Sequence, residues 1–117
     1  MRDIKFRGLM EIESTKKQQW IYYSVGTKPT LVGAHWIAED LQYTGLKDKN
    51  GKDGYQNDLV KYGMAIYQIV WSDFDAGFYI VHVAGTGWNS GLPIHNLTNS
   101  TIIGNVFENP ELLEVKE

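Results

Sequence analysis

From residue 4 the chain alternates, with Ile4, Phe6 and Gly8 set against Lys5 and Arg7. A period of two marks a strand with one face in a core and the other in water, so a short opening strand is predicted with Lys5 and Arg7 on its wet face. The polar stretch from Glu13 to Gln19 leads into Trp20-Ile21-Tyr22-Tyr23-Ser24-Val25. That β-branched and aromatic run suits pairing with the first strand, as a hairpin. Gly26 to Pro29 breaks the pattern, and 31–37 fits either a further strand or an irregular segment.

Asn50-Gly51 is the strongest turn signal in the chain, a pair expected to supply two positive-φ residues. After it come three strand-length runs, 58–62, 65–71 and 77–83, separated by Gly- or Asp-containing breaks in the rhythm of an antiparallel meander. A Gly/Asn/Ser-rich stretch over 85–100 precedes a closing strand at 101–107. Helix is confined to single turns, at 36–41 and at 109–114, where Pro110 suits a first helical position. The pattern predicts a mainly β chain with little helix. An N-terminal β-hairpin element and connector (1–45) leads into a small closed or half-closed barrel (46–117), since closure hides strand edges.

Composition narrows the class. A chain of 117 residues builds one core, and 43% apolar with 13% aromatic residues is enough to fill it. The absence of cysteine removes disulfides, thiolate metal sites and thiol nucleophiles. No apolar run reaches the ~18 residues that span a bilayer, and the start MRDIKFRG is not a signal peptide, so a cytoplasmic location is expected. The net charge of −3 is uneven: residues 1–30 carry +3, 31–62 carry −1 and 63–117 carry −5. No segment has the dense Lys/Arg stripe that neutralises many phosphates, which weighs against nucleic acid as the main partner.

Four blocks are more specific: MRDIKFRG (1–8), LQYTGLKDKNGK (41–52), YQNDLVK (55–61) and IIGNVFENPELL (102–113). In this order and spacing the chain resembles the YopX-like family of phage and prophage proteins. The resemblance implies a phage or prophage origin, a cytoplasmic setting in a host bacterium, and an SH3-like C-terminal barrel. It implies no reaction, cofactor or catalytic residue. The family usually places an acid and a glycine where this chain has Gln56 and Asn57; Asn tolerates positive φ, so the turn should survive. Asp58 is expected to cap that turn through its carboxylate.

No constellation of residues points to catalysis. An EF-hand loop aligned on Gly51 would begin at Leu46 and end at Asn57, losing its first carboxylate and its bidentate last one. His35, His82 and His95 are far apart, and Gly85-Thr86-Gly87 lacks the helix that would hold a phosphate. Asp73 and Asp75 flank Phe74 in a hairpin turn, which explains them better than acid–base chemistry does. The expectation is a non-enzymatic protein without cofactor or metal that binds another protein through its loops. Phe74, Tyr79 and Trp88 would form an apolar platform rimmed by Asp73 and Asp75. The alternative is a nucleic-acid accessory protein, with Lys5, Arg7, Lys16, Lys17 and Lys28 on phosphates and Trp20 or Tyr22 stacking on bases. A homo-oligomer pairing the basic N-terminal third with an acidic C-terminal part is also open.

Overall fold

A computed structural model describes residues 4–87 and 91–113. The expected hairpin is present: β1 (Lys5–Ile12) and β2 (Gln18–Ser24) pair antiparallel from Lys5↔Ser24 to Glu11↔Gln18. The undecided stretch resolves into a long strand, β3 (Ala34–Lys47), on the other edge of β1. It runs straight through the boundary expected at residues 45 and 46. β4 (Asp53–Tyr55) pairs with the end of β3, giving a sheet of order β2-β1-β3-β4.

The meander follows as β5 (Asp58–Tyr62), β6 (Ala65–Ser72) and β7 (Gly77–Gly85). A short β8 (Leu92–Pro93) lies beside β7, and β9 (Thr101–Asn105) returns beside β5, so the order is β8-β7-β6-β5-β9. Among the described residues every pairing is antiparallel, and helix amounts to two 3₁₀ segments, Ile94–Asn99 and Pro110–Leu113. The protein is mainly β with little helix, as the alternation predicts. Among the described residues no strand pairing joins β8 to β9, so the second sheet has two ends and does not close into a hydrogen-bonded cylinder. No helix among them is long and apolar enough to cross a membrane.

The core lies on one face of the second sheet. Ala65, Tyr67 and Ile69 alternate inward along β6 and meet Val60, Phe78, Ile80, Leu97 and Ile102. Leu46 of β3 packs against this cluster, and a Cβ placed on Gly54 of β4 would lie 2.5 Å from Leu97 Cδ2. The last part of the first sheet thus closes over the core of the second. β5 is buried on both faces: Val60 joins the cluster, while fully buried Leu59 points the other way.

Two turns position the rest. Gly51 takes a φ of +84°, but Asn50 stays out of the left-handed region, so only one of the two expected positive-φ residues has that conformation. The reason is Asp48. Its carbonyl accepts from Gly51 N–H at 3.0 Å, and its Oδ1 accepts from Asn50 and Lys52 N–H at 2.9 Å each, which winds the turn around the side chain. Asp48 Oδ2 accepts from Ile102 N–H at 2.9 Å, pinning this turn to β9. At the next turn Asn57 has a φ of 72°, the conformation expected of a residue in the glycine position. Asp58 Oδ2 accepts from Tyr55 N–H at 2.9 Å, the cap expected of it.

Candidate functional site

The β6–β7 hairpin carries the acids and the phenylalanine singled out in the sequence. Ser72 and Gly77 form its last pair, leaving Asp73, Phe74, Asp75 and Ala76 as the tip. Phe74 is 97% exposed. The two acids on either side of it are each tied to a different neighbour. Trp71 Nε1 donates to Asp73 Oδ1 at 2.8 Å, and the Trp71 ring stands edge-on to Phe78 at 5.0 Å. Asp75 N–H donates to Ser72 Oγ at 3.3 Å, and the Asp75 carboxylate accepts from Tyr79, whose hydroxyl is thereby held above its usual pKa. Separate partners for the two carboxylates are what a fixed tip needs, and a proton-sharing pair is not. Asp73, Phe74, Asp75 and Tyr79 therefore come together at one end of the hairpin, whereas Trp88 lies outside the described residues.

A second feature follows from strand register, and sequence reading missed it. Residues directly opposite in an antiparallel pair share a face, so the pairs Lys5↔Ser24, Arg7↔Tyr22 and Leu9↔Trp20 put Lys5, Arg7, Tyr22 and Trp20 on one side of the first sheet. The pairs Arg7↔Leu41 and Tyr43↔Tyr55 add Tyr43 and Tyr55 to it. This side faces the second sheet. The expected wet face of β1 is therefore an inner one: Arg7 is 5% exposed and ion-paired with Asp58. Its guanidinium lies 4.2 Å from the Trp20 ring centroid and 4.8 Å from that of Tyr55. Two ring faces and a carboxylate replace the water that Arg7 gives up, which alternation alone could not reveal.

Along the inner side of the first sheet a cleft opens, and one lobe of it reaches β5 and β9 of the second. Its larger lobe, about 410 Å³, is lined by Lys5, Arg7, Tyr22, Lys52, Asp53 and Tyr55. A lobe of about 280 Å³ runs on past Trp20 to Glu108 and the end of β9, and a third, of about 230 Å³, extends towards Ser24. Tyr22 lines all three lobes.

The charges around the cleft are largely paired. Lys5 Nζ donates to Asp53 Oδ2 at 2.9 Å, which holds the Lys5 ammonium above its usual pKa, and Lys47 bonds the other oxygen of the same carboxylate. Burial opposes ionisation of Asp53, but the two lysines prevail and hold its carboxyl below the usual range. Glu108 is likewise lowered, by Asn105 Nδ2 and by Trp20 Nε1, the latter at 2.8 Å. Burial pushes the Asp58 carboxyl up against the pull of Arg7 and of Tyr55 N–H. Lys52 is exposed and makes no ion pair among the described residues.

The residues suggested for phosphate contact are mostly engaged elsewhere. Arg7 holds Asp58, Lys5 holds Asp53, and Lys28 holds Glu39 and Asp40. Trp20 packs edge-on to Phe107 at 6.2 Å. The histidines stay apart: His35 Nε2 lies 3.6 Å from Glu11, and His82 Nε2 lies 2.8 Å from Gly85 O. Among the described residues no group of three or more His, Asp or Glu could hold a metal ion.

No curated protein matches the chain. The family model described as YopX protein matches residues 4–114, nearly the full length. A match of that extent, spread over both sheets and the cleft, places this chain in the YopX family.

Proposed function

We propose that this YopX-family chain is a non-enzymatic phage or prophage accessory protein that works in the cytoplasm of a host bacterium, binding another protein through the tip of the β6–β7 hairpin. The observation that carries this reading is Phe74, 97% exposed between two carboxylates whose neighbours hold them in place. An aromatic side chain has only two rotatable bonds to order on docking and can bury roughly 150–250 Å². The partner has an apolar socket with Lys or Arg at its rim, matching Asp73 and Asp75. In this reading the second sheet serves as an SH3-like scaffold that recognises through its loops. Fixed geometry at the tip makes Phe74 an anchor and the two acids its orienting pair.

Affinity capture from cells producing the tagged chain tests this, with Phe74→Ser and Lys52→Ala compared with wild type. Phe74→Ser should lose the specific partner while keeping its melting temperature, because a fully exposed side chain changes stability by no more than about 0.5 kcal/mol. Lys52→Ala should keep the partner. An identical partner set for Phe74→Ser and wild type overturns the proposal. Recovery of the untagged chain itself, lost in Phe74→Ser, would identify the partner as a second copy.

A further inference from the structure

We propose that the cleft along the inner side of the first sheet is a binding site for a small molecule that joins a planar ring to a phosphate or carboxylate group. Lys5, Arg7 and Lys52 line its larger lobe with Asp53, and Asp58 and Glu108 join Arg7 and Lys52 in the adjoining one. Asp53 is already shared by Lys5 and Lys47. Of these three cations Lys52 is the exposed one that makes no ion pair among the described residues, and it lines both of the larger lobes. An anion entering here meets the Lys52 ammonium at the rim and, behind it, the Arg7 guanidinium, which packs on the Trp20 and Tyr55 rings and is ion-paired with Asp58. Arg7 Nε is buried and has no hydrogen-bond partner, so its ion pair with Asp58 leaves donor capacity unused.

The ring requirement comes from the same wall. Tyr22 is 60% exposed, lines every lobe and stands edge-on to Tyr55 at 5.7 Å, offering an open aromatic face beside the cations. A lobe of about 410 Å³ is the size of a small-molecule site and accepts a ring with one anionic substituent.

Titration of the ¹⁵N-labelled chain followed by NMR tests this with four probes. Adenosine monophosphate joins a ring to phosphate, 3-phenylpropionate joins a ring to carboxylate, adenosine has only the ring, and inorganic phosphate only the anion. At least one of the first two should saturate, with shifts centred on the Lys52 and Tyr22 amides and the Trp20 Nε1–H. Neither of the last two should saturate over the same range. Which joined probe binds tells phosphate from carboxylate. Lys52→Ala and Tyr22→Ala, both at exposed positions, should each weaken that probe by about tenfold, the loss of one charged or aromatic contact. Phe74→Ala should leave it unchanged, which separates this site from the hairpin tip. Absence of saturation, shifts centred away from the cleft, binding of phosphate alone as tight as that of the joined probes, or unchanged binding by both cleft variants overturns the proposal.

Discussion

Asp48 and Arg7 hold distant parts of the chain together through buried polar groups. Asp48 is 6% exposed, and its carboxylate serves three backbone donors, on Asn50, Lys52 and Ile102. Burial opposes ionisation, yet those donors outweigh it and hold the Asp48 carboxyl below its ordinary value of 3.8. The native state therefore binds fewer protons than the unfolded chain in the acid range, so Asp48 contributes stability above about pH 4 that is lost as pH falls through its folded pKa. Asp48→Asn should cost about 1–3 kcal/mol at pH 7 and flatten the acid limb of stability against pH, measured by urea melts between pH 2.5 and 7. For Arg7 the balance differs, because a buried ion pair stripped of one partner leaves a lone charge. Arg7→Met should cost about 3–5 kcal/mol, and adding Asp58→Asn should recover part of it. A loss in the double variant equal to the sum of the losses in Arg7→Met and Asp58→Asn alone would show that the pair is not coupled. Neither role was legible in full: the turn signal at Asn50-Gly51 says nothing of Asp48's side chain, and Arg7 read as a wet-face residue. Their partners, Ile102 and Asp58, lie 54 and 51 residues away, beyond any local pattern.

Elements with uniform alternation and sharp turns are the ones a sequence announces, and the β1–β2 hairpin and the β5–β6–β7 meander are of that kind. β3 is not. Asp40 has a φ of 57° and Gly45 a φ of 89°, so two left-handed residues shift the phase of the alternation within a single strand. Its pairing with β1 slips between Arg7 and Leu9 and again between Leu9 and Met10. A strand that changes phase twice presents no period-two run long enough to read. The same strand carries Leu46 onto the core and hands over to β4, where Gly54 lets the backbone close on Leu97. Gly54→Ala places a methyl group within 2.5 Å of Leu97 Cδ2 and should cost about 1–3 kcal/mol by overpacking. Gly54→Ala combined with Leu97→Val, which shortens the clashing side chain, should be less unstable than additivity predicts. Thermal melts of the single and double variants check this.

At the scale of the whole molecule, Leu46 of β3 and Gly54 of β4 close on the core of the second sheet, and Lys5, Arg7, Tyr22, Lys52 and Tyr55 line a cationic, aromatic cleft. The exposed hairpin tip is a separate feature. The tip was legible because turn chemistry and an out-of-place aromatic are local signals, whereas the cleft depends on how two sheets meet. Photo-cross-linking tests the central claim most directly. A benzophenone amino acid replaces Phe74 in the tagged chain, with the same replacement at Val32, which is 94% exposed, as the control. Irradiation in cells should attach one protein of defined mass at position 74 and not at position 32. Identical products at the two positions, or none at position 74, would contradict a docking role for the hairpin tip.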